Sequence, residues 1–235
     1  MSPERFARIT DMLNRRQPEL TIFLEEVHKP HNLAAIVRTA DAIGLSAVHA
    51  TWEKIPSKKK NRVSGATATG SQNWVEVVSH ETTREAIQAL RDQGMQIVAT
   101  NLSERAVDFR EVDYTKPTAI LMGQEKHGIS DEALALADQD VIIPMLGMCQ
   151  SLNVSVASAL ILYEAQRQRQ IAGMYDGESR LSEEKIHRTL FEGGHPIFTK
   201  LCKQKGLDYP PLDDEGQINA SDEWWKTIRS SKIVD

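Results

Sequence analysis

The alternation of apolar and polar positions along the chain predicts a series of short strands and amphipathic helices. Six apolar runs have the length and β-branched content of buried strands: LTIFLEEV, SAVHATW, WVEVVS, MQIVAT, TAILMG and VIIPM. Helical periodicity lies between them in TREAIQALRDQG, which Gly94 closes, in SDEALALAD, and in the long LNVSVASALILYEAQRQRQ. Strands that alternate with helices indicate βαβ units, so the sequence predicts an α/β fold around a parallel sheet.

The helix NLAAIVRTADAIG carries an arginine that its apolar pattern does not explain. Five apolar positions at helical spacing predict its buried face: Leu33, Ile36, Val37, Ala40 and Ile43. Asn32 is predicted to cap the helix. Arg38 is placed on the other side, among Ala34, Ala35 and Ala42, with Asp41 one turn later. Small residues allow another backbone to approach, so Arg38 either meets a ligand there or forms an ordinary ion pair with Asp41.

The chain divides into three segments on the basis of these patterns. Residues 20–172 are predicted to form the α/β domain, residues 1–19 an N-terminal helical extension, and residues 173–235 a C-terminal extension. In the last segment, residues 181–205 have helical periodicity, and the remainder, with YPPLDDEG and DEWWK, is predicted to be loosely structured. The sequence contains no run of about 18 apolar residues, so it predicts no membrane span.

Composition indicates an ordinary globular protein of the cytoplasm. Hydrophobic residues make up 40% of the chain and charged residues 26%. The N-terminus, MSPERFARIT, lacks the apolar core of a signal peptide. Cys149 and Cys202 are too few for a disulfide framework. We therefore expect a cytoplasmic location.

Basic residues are segregated, although the net charge of −5 does not by itself favour a nucleic-acid partner. They cluster in the first helix (Arg5, Arg8, Arg15, Arg16), in residues 54–62, and towards the C-terminal side (Arg167, Arg169, Arg180). Such segregation is typical of nucleic-acid binding, and a solvated face is the alternative. Lys58, Lys59 and Lys60 either contact phosphate or form a solvated loop.

Three loops follow predicted strands at the edge where parallel sheets bind ligands: TNLSE, GQEKHGIS and MLGMCQSLN. None is a dinucleotide fingerprint or a phosphate-binding loop. The third runs into a helix N-terminus at Leu152 and Asn153, where backbone N–H groups are free. The loops could hold a compact polar ligand through main-chain groups. Alternatively they are ordinary turns, with Ser151 and Asn153 as helix caps.

No metal site is predicted. His28 and His31 in HKPH could begin one, but no third ligand cluster has suitable spacing. Glu125 and His127 in GQEKHG could act in acid–base chemistry, and solvated loop side chains are the plainer interpretation.

Three segments together resemble the sequence motifs of the SpoU/TrmH family of RNA 2′-O-ribose methyltransferases, in the SPOUT superfamily: NLAAIVRTADAIG, ILMGQEKHGIS and IIPMLGMCQSLNVSVASALILYEA. The ends, RFARITDMLNRRQPEL, LFEGGHPIF and WW, are similar to the branch that modifies tRNA. The resemblance implies methyl transfer from S-adenosylmethionine to the 2′-hydroxyl of guanosine 18 in the D-loop of tRNA. The alternatives are a ribosomal RNA substrate, a binding dimer without catalysis, and a metal-dependent hydrolase built on His28 and His31.

The same resemblance implies a parallel-sheet domain with a C-terminal trefoil knot, a homodimer, and a metal-free active site at the dimer interface. It places five residues around the reacting ribose: Arg38, Asn32, Glu125, Ser151 and Asn153. It assigns the cofactor contacts, largely through backbone groups, to Thr100, Gly123, Ile143 and Leu152. Candidates for gripping tRNA phosphates are Arg8, Arg15, Arg16, Arg167, Arg169 and Arg180.

Overall fold

A computed structural model of the protein describes residues 1–27, 29–52, 70–124 and 126–230. Three sequence predictions fall outside the described residues: those for Glu125, for His28 and for the basic stretch of residues 54–62. Among the described residues, none of the helices has the length and hydrophobicity that a membrane span requires.

The chain forms two compact units. One is Gln17–Tyr175, and the other combines Met1–Arg16 with the chain from Asp176 onward. The division falls close to the predicted segment boundaries. The two terminal extensions, which the sequence presents as separate segments, therefore belong to one unit.

A parallel seven-stranded sheet forms the centre of the larger unit, which confirms the predicted α/β class. Its strands are β1 (Leu20–Glu25), β2 (Ala47–Thr51), β3 (Glu76–His80), β4 (Gln96–Thr100), β5 (Val107–Asp108), β6 (Thr118–Met122) and β7 (Gln139–Ile142). They lie in the order β3-β2-β1-β6-β4-β7-β5. The two-residue β5 was not predicted, because two residues are too few to show a pattern.

Helices cover both faces of this sheet: α2 (Pro30–Ala42), α3 (Thr83–Asp92), α4 (Asp131–Ala135) and α5 (Val154–Ile171). Successive residues of β1 point to opposite faces, as in any strand. Ile22 and Leu24 pack with α2 and α5, whereas Phe23 packs with α3 and α4. Because both faces are buried, the strands appear in the sequence as nearly continuous apolar runs.

Helix α2 confirms the predicted buried face and corrects the predicted cap. The five apolar positions are at most 2% exposed. The helix begins at Pro30 with Lys29 at the N-cap, and no side chain of the described residues forms a capping hydrogen bond there. Asn32 lies inside the first turn and is buried, so its prediction as the cap is wrong. Ala34 is also buried, while Arg38, Ala35 and Ala42 are exposed on one face.

The terminal unit contains α1 (Pro3–Asn14), α6 (Glu183–Gly194), α7 (Pro196–Lys205) and α8 (Asp222–Arg229). Helix α8 overturns the prediction that the tail is loosely structured. Ser221 caps it, and its Ile228 packs with Phe191 and Cys202 in a small separate core. An eight-residue helix shows little periodicity, which is why the sequence pattern did not predict it.

Candidate active site

The three loops meet in one cavity of about 1060 Å³ at the carboxyl ends of the strands. Thr100, Gly123, Ile143 and Leu152, the four predicted cofactor positions, all line it. Ser151 and Asn153 line it as well. The structure thus brings the three loops together as predicted, and the ligand contacts themselves stay predictions.

Gly123 allows the second loop to fold tightly against the cavity. The backbone N–H groups of Gln124 and Gly128 each donate to the other residue's carbonyl oxygen, both at 2.9 Å. A Cβ on Gly123 would lie 2.2 Å from the carbonyl carbon of Gly128, far inside van der Waals contact. Only glycine fits here, so the main chain itself forms this wall of the cavity.

Glu25 anchors the C-terminal end of the second loop, at Ser130, through hydrogen bonds. Its side chain is buried at the carboxyl end of β1. One carboxylate oxygen accepts from the hydroxyls of Ser130 (2.6 Å) and Thr83 (2.8 Å), and the other accepts from the backbone N–H of Ser130 (2.8 Å). Sequence reasoning did not single out Glu25, although an acidic residue that ends an apolar run was the available signal.

Asp140 holds the first loop in the same way. Its carboxylate, on β7, accepts from Asn101 (3.1 Å), from Ser103 (2.6 Å) and from Nε of Arg105 (3.0 Å). Burial alone would raise the pKa of Asp140, but the hydrogen bonds from Arg105, Ser103 and Asn101 outweigh burial and lower it. Asp140 was not predicted as part of the site, because the apolar run that identifies β7 in the sequence begins at Val141.

The third loop is joined to helix α2 by two amides. Asn153 is the N-cap of α5, where its Oδ1 accepts from the backbone N–H of Ser155 at 2.8 Å. Its Nδ2 donates to Oδ1 of Asn32 at 3.2 Å. The first turns of α2 and α5 are thereby fixed to each other at the cavity.

Arg38 lies in the second half of α2. It is exposed on the outer face of α2 and is not among the described residues that line the cavity. Of the five residues predicted around the ribose, Ser151 and Asn153 line the cavity, and Asn32 bonds to Asn153. Arg38 is not among the described lining residues, Glu125 lies outside the described residues, and the roles of all five stay predictions.

The six arginines predicted to contact RNA fall into two classes. Arg8, Arg15, Arg167 and Arg180 are exposed, whereas Arg16 and Arg169 are 2% and 0% exposed. Nε of Arg16 donates to the sulfur of Met12. The guanidinium of Arg169 donates to the carbonyl oxygens of Tyr114, Glu19 and Lys116 and to the side chain of Gln17. Side chains this deeply buried do not reach an RNA phosphate, so the prediction is wrong for Arg16 and Arg169.

Two histidines form a pair between neighbouring strands: His49 lies in the middle of β2, and His80 is the last residue of the edge strand β3. Nδ1 of His49 lies 2.8 Å from Nε2 of His80, and the rings are stacked. Burial, followed by the neighbouring His80, lowers the pKa of His49 to about 4. No described group of three or more His, Cys, Asp or Glu side chains could hold a metal ion.

Comparison with known proteins agrees with this geometry. The SpoU rRNA Methylase family matches residues 19–163, and its C-terminal family matches residues 167–221. A tRNA (guanosine(18)-2′-O)-methyltransferase from Escherichia coli K12 is 60% identical over 98% of this chain and 100% of its own length.

Solved structures of SpoU-type enzymes are also similar to this chain. The TrmH/SpoU tRNA modifying enzyme from A. aeolicus has a TM-score of 0.74 and 42% identity, covering 82% of this chain and 96% of that one. The SpoU methyltransferase AviRb from Streptomyces viridochromogenes, solved with AdoMet, has a TM-score of 0.57 and 31% identity, covering 68% and 61%. This chain belongs to the SpoU methylase family.

Proposed function

We propose that the protein transfers a methyl group from S-adenosylmethionine to the 2′-hydroxyl of guanosine 18 in tRNA. The observation that carries this proposal is the cavity where three loops meet and all four predicted cofactor positions lie. The choice of tRNA over ribosomal RNA, the alternative substrate, rests on the E. coli relative, whose similarity extends over the whole chain. We expect the reaction to take place in the cytoplasm.

The cavity suits S-adenosylmethionine. Gly123 lines the cavity with main chain alone. Thr100, Ile143 and Leu152 would contact the cofactor from the other two loops. When bound, S-adenosylmethionine supplies a methyl group activated by a sulfonium. The lining combines apolar side chains with a few polar groups, and such a site serves chiefly to align the reacting atoms.

A second copy of the chain would complete the site. Val156, Leu160 and Tyr163 lie on one face of α5 and are 43–52% exposed, and Leu146 and Met148 of the third loop are fully exposed. Exposed apolar side chains on a helix beside a cavity are typical of an interface. We propose a homodimer that covers this face and brings Arg38 to the ribose. The proposed fold includes the trefoil knot of the family.

Arg38 would act as a cation and not as a base. A guanidinium stays protonated in proteins and has no free site to accept a proton. It can bind the phosphate beside the target ribose and stabilise the negative charge that develops on the 2′-oxygen as the proton leaves. The joined amides of Asn32 and Asn153 would hold the third loop in place, and Ser151 would contact the ribose.

The exposed arginines are the proposed tRNA contacts: Arg8, Arg15, Arg167 and Arg180. Contacts of this kind go to phosphates, position the RNA, and weaken steeply as salt is added. They supply affinity, while the cavity supplies the chemistry.

Methylation of an unmodified tRNA transcript with labelled S-adenosylmethionine, followed by mapping of the modified nucleotide, tests the proposal. We expect one 2′-O-methyl group at guanosine 18, and loss of it in Arg38→Ala. Methylation of ribosomal RNA fragments without methylation of tRNA would favour the alternative substrate. Absence of cofactor binding would overturn the proposal.

A further inference from the structure

The loop after β4 is fixed to the sheet at alternate residues. Asn101, Ser103 and Arg105 all donate to the single carboxylate of Asp140. A second bond from Arg105, through Nη2 at 2.9 Å, makes that contact bidentate. The side chain of Gln139 also donates to the carbonyl oxygen of Arg105 at 3.0 Å. The loop is thus held by both side chains and main chain.

The residues between these anchors form part of the cavity. Leu102 lies between two donors to Asp140, is 86% exposed, and lines the cavity with Thr100 and Asn101. The alternation directs one set of side chains at Asp140 and leaves Leu102 on the cavity side. The position of this wall therefore depends on the hydrogen bonds made behind it.

Burial of the Asp140 carboxylate makes its hydrogen bonds to the loop costly to break. The carboxylate of Asp140 is 2% exposed, whereas Arg105 is 55% exposed. A buried carboxylate that loses its donors becomes an uncompensated charge, which is strongly unfavourable. Loop conformations that withdraw these donors are consequently rare, and the wall is formed before a ligand arrives. A preformed site avoids the free-energy cost of ordering a loop on binding.

We propose that Asp140 is a positioning residue for the methyl donor. It holds residues 100–105 so that Thr100, Asn101 and Leu102 form one wall of the cofactor cavity. This inference rests on the proposed function, because it takes S-adenosylmethionine as the ligand of that cavity. Asp140 itself does not line the cavity and touches no reacting atom.

Asp138 offers a matched control two residues away. Its carboxylate accepts from Arg91 at 2.9 Å and from the backbone N–H of Ile97 at 2.7 Å. It too joins an arginine to the central part of the sheet, through β4, and among the described residues its carboxylate bonds to none of the three loops of the cavity. Asp138→Asn should therefore reproduce a loss of packing and charge pairing without moving the cavity wall.

The experiment measures the dissociation constant of S-adenosylmethionine by calorimetry on the full-length protein without RNA, and then the KM and kcat for the donor with tRNA. In Asp140→Asn an amide N–H₂ faces other donors. We expect the dissociation constant and the KM to rise about tenfold, the loss expected for a charge-assisted hydrogen bond. At saturating donor, kcat should stay within about twofold of wild type, because the wall contributes to uniform binding. Asp138→Asn should bind the donor like wild type even where its melting temperature falls.

Milder variants keep the test decisive if Asp140→Asn does not fold. Ser103→Ala removes one donor and Arg105→Lys removes the bidentate contact, and each should raise the KM for the donor about threefold with kcat retained. Wild-type donor binding in Ser103→Ala and Arg105→Lys, and in Asp140→Asn where it folds, would overturn the inference while leaving the proposed function intact. A wild-type protein that binds no S-adenosylmethionine would overturn both.

Discussion

Arg167 and Arg169 are two residues apart on α5 and have opposite roles. Arg167 is exposed and pairs with Glu164, one turn earlier, at 2.7 Å. Arg169 is fully buried and donates to three backbone carbonyls and one side-chain amide. Residues two apart on a helix do not share a face. The same residue type therefore supplies a surface charge at one position and an internal connection at the other.

The buried arginine ties the C-terminal end of α5 to the segments that precede two central strands. The carbonyl of Glu19 comes just before β1, and that of Lys116 just before β6. A guanidinium can satisfy several acceptors at once because it carries five N–H donors in a fixed plane. Basic charge near a predicted RNA-binding segment thus does not establish RNA contact.

Removal of Arg169 should have the largest energetic effect. Arg169→Ala leaves two buried and two partly buried acceptors without this donor, and we expect a loss of about 3–5 kcal/mol in the free energy of unfolding. Arg167→Ala should cost less than about 1 kcal/mol, since exposed ion pairs contribute little. Urea denaturation of both variants measures the difference. Equal losses in the two variants would break the comparison.

Arg38 should show the opposite behaviour, with a large effect on activity and little on stability. Arg38→Ala should lower kcat about 100- to 1000-fold, the usual effect of removing a group that stabilises developing charge. Its unfolding free energy should stay near wild type, because Arg38 is exposed. Arg38→Lys should keep partial activity if the role is that of a point charge.

Arg84 provides the control for Arg38. It is an exposed arginine that forms an ion pair with Glu132 at 2.7 Å, and neither residue is among the described residues that line the cavity. Arg84→Ala should keep full activity. Full activity in Arg38→Ala would exclude it from the site, and a lysine variant as inactive as alanine would contradict a simple charge role.

Histidines extend the contrast between buried and exposed polar groups. His49 is buried beside His80, and its pKa is lowered to about 4 mainly by burial and next by His80, with Glu76 opposing. The unfolded chain binds the proton more readily, at a pKa near 6.5, so stability falls as the pH decreases from about 6.5 to about 4. At pH 5 this effect of His49 lowers the free energy of unfolding by at most about 2 kcal/mol relative to pH 7.

Denaturation at pH 7 and pH 5 measures this effect. His49→Gln should reduce the pH dependence of the unfolding free energy relative to wild type. An unchanged pH dependence in His49→Gln would show that the pair is not the origin of the acid sensitivity.

The sequence predicted the parts of the fold that depend on local pattern. The apolar runs identify six strands because both faces of the sheet are buried, and Gly94, with φ of 77°, ends α3 as expected. What it did not predict depends on distant partners. Asn32 is a residue type typical of a helix cap at the start of a helical pattern. Its side-chain oxygen instead accepts a hydrogen bond from the side chain of Asn153, 121 residues away in the sequence. No local pattern distinguishes the two.

The candidate site divides in the same way. Motif resemblance located Thr100, Gly123, Ile143 and Leu152, all of which line the cavity. Glu25 and Asp140, which hold two of the loops in place, do not lie in quoted motifs and are recognisable only from their donors in the structure. Burial likewise separates Arg169 from Arg167, and it depends on how α5 packs against the sheet.

The smallest expected effect concerns the exposed arginines and their salt dependence. Arg167 can exchange Glu164 for a tRNA phosphate at little cost, because the exposed pair contributes at most about 1 kcal/mol. Arg167→Ala and Arg180→Ala should each weaken tRNA binding several-fold and reduce the slope of log affinity against log salt by about 0.7–0.9 per residue. Arg84→Ala should alter neither quantity. Weaker binding with an unchanged salt slope would mean that these side chains act through packing and not through phosphate contact. The exposed Arg167 would then not differ from the buried Arg169 by binding RNA.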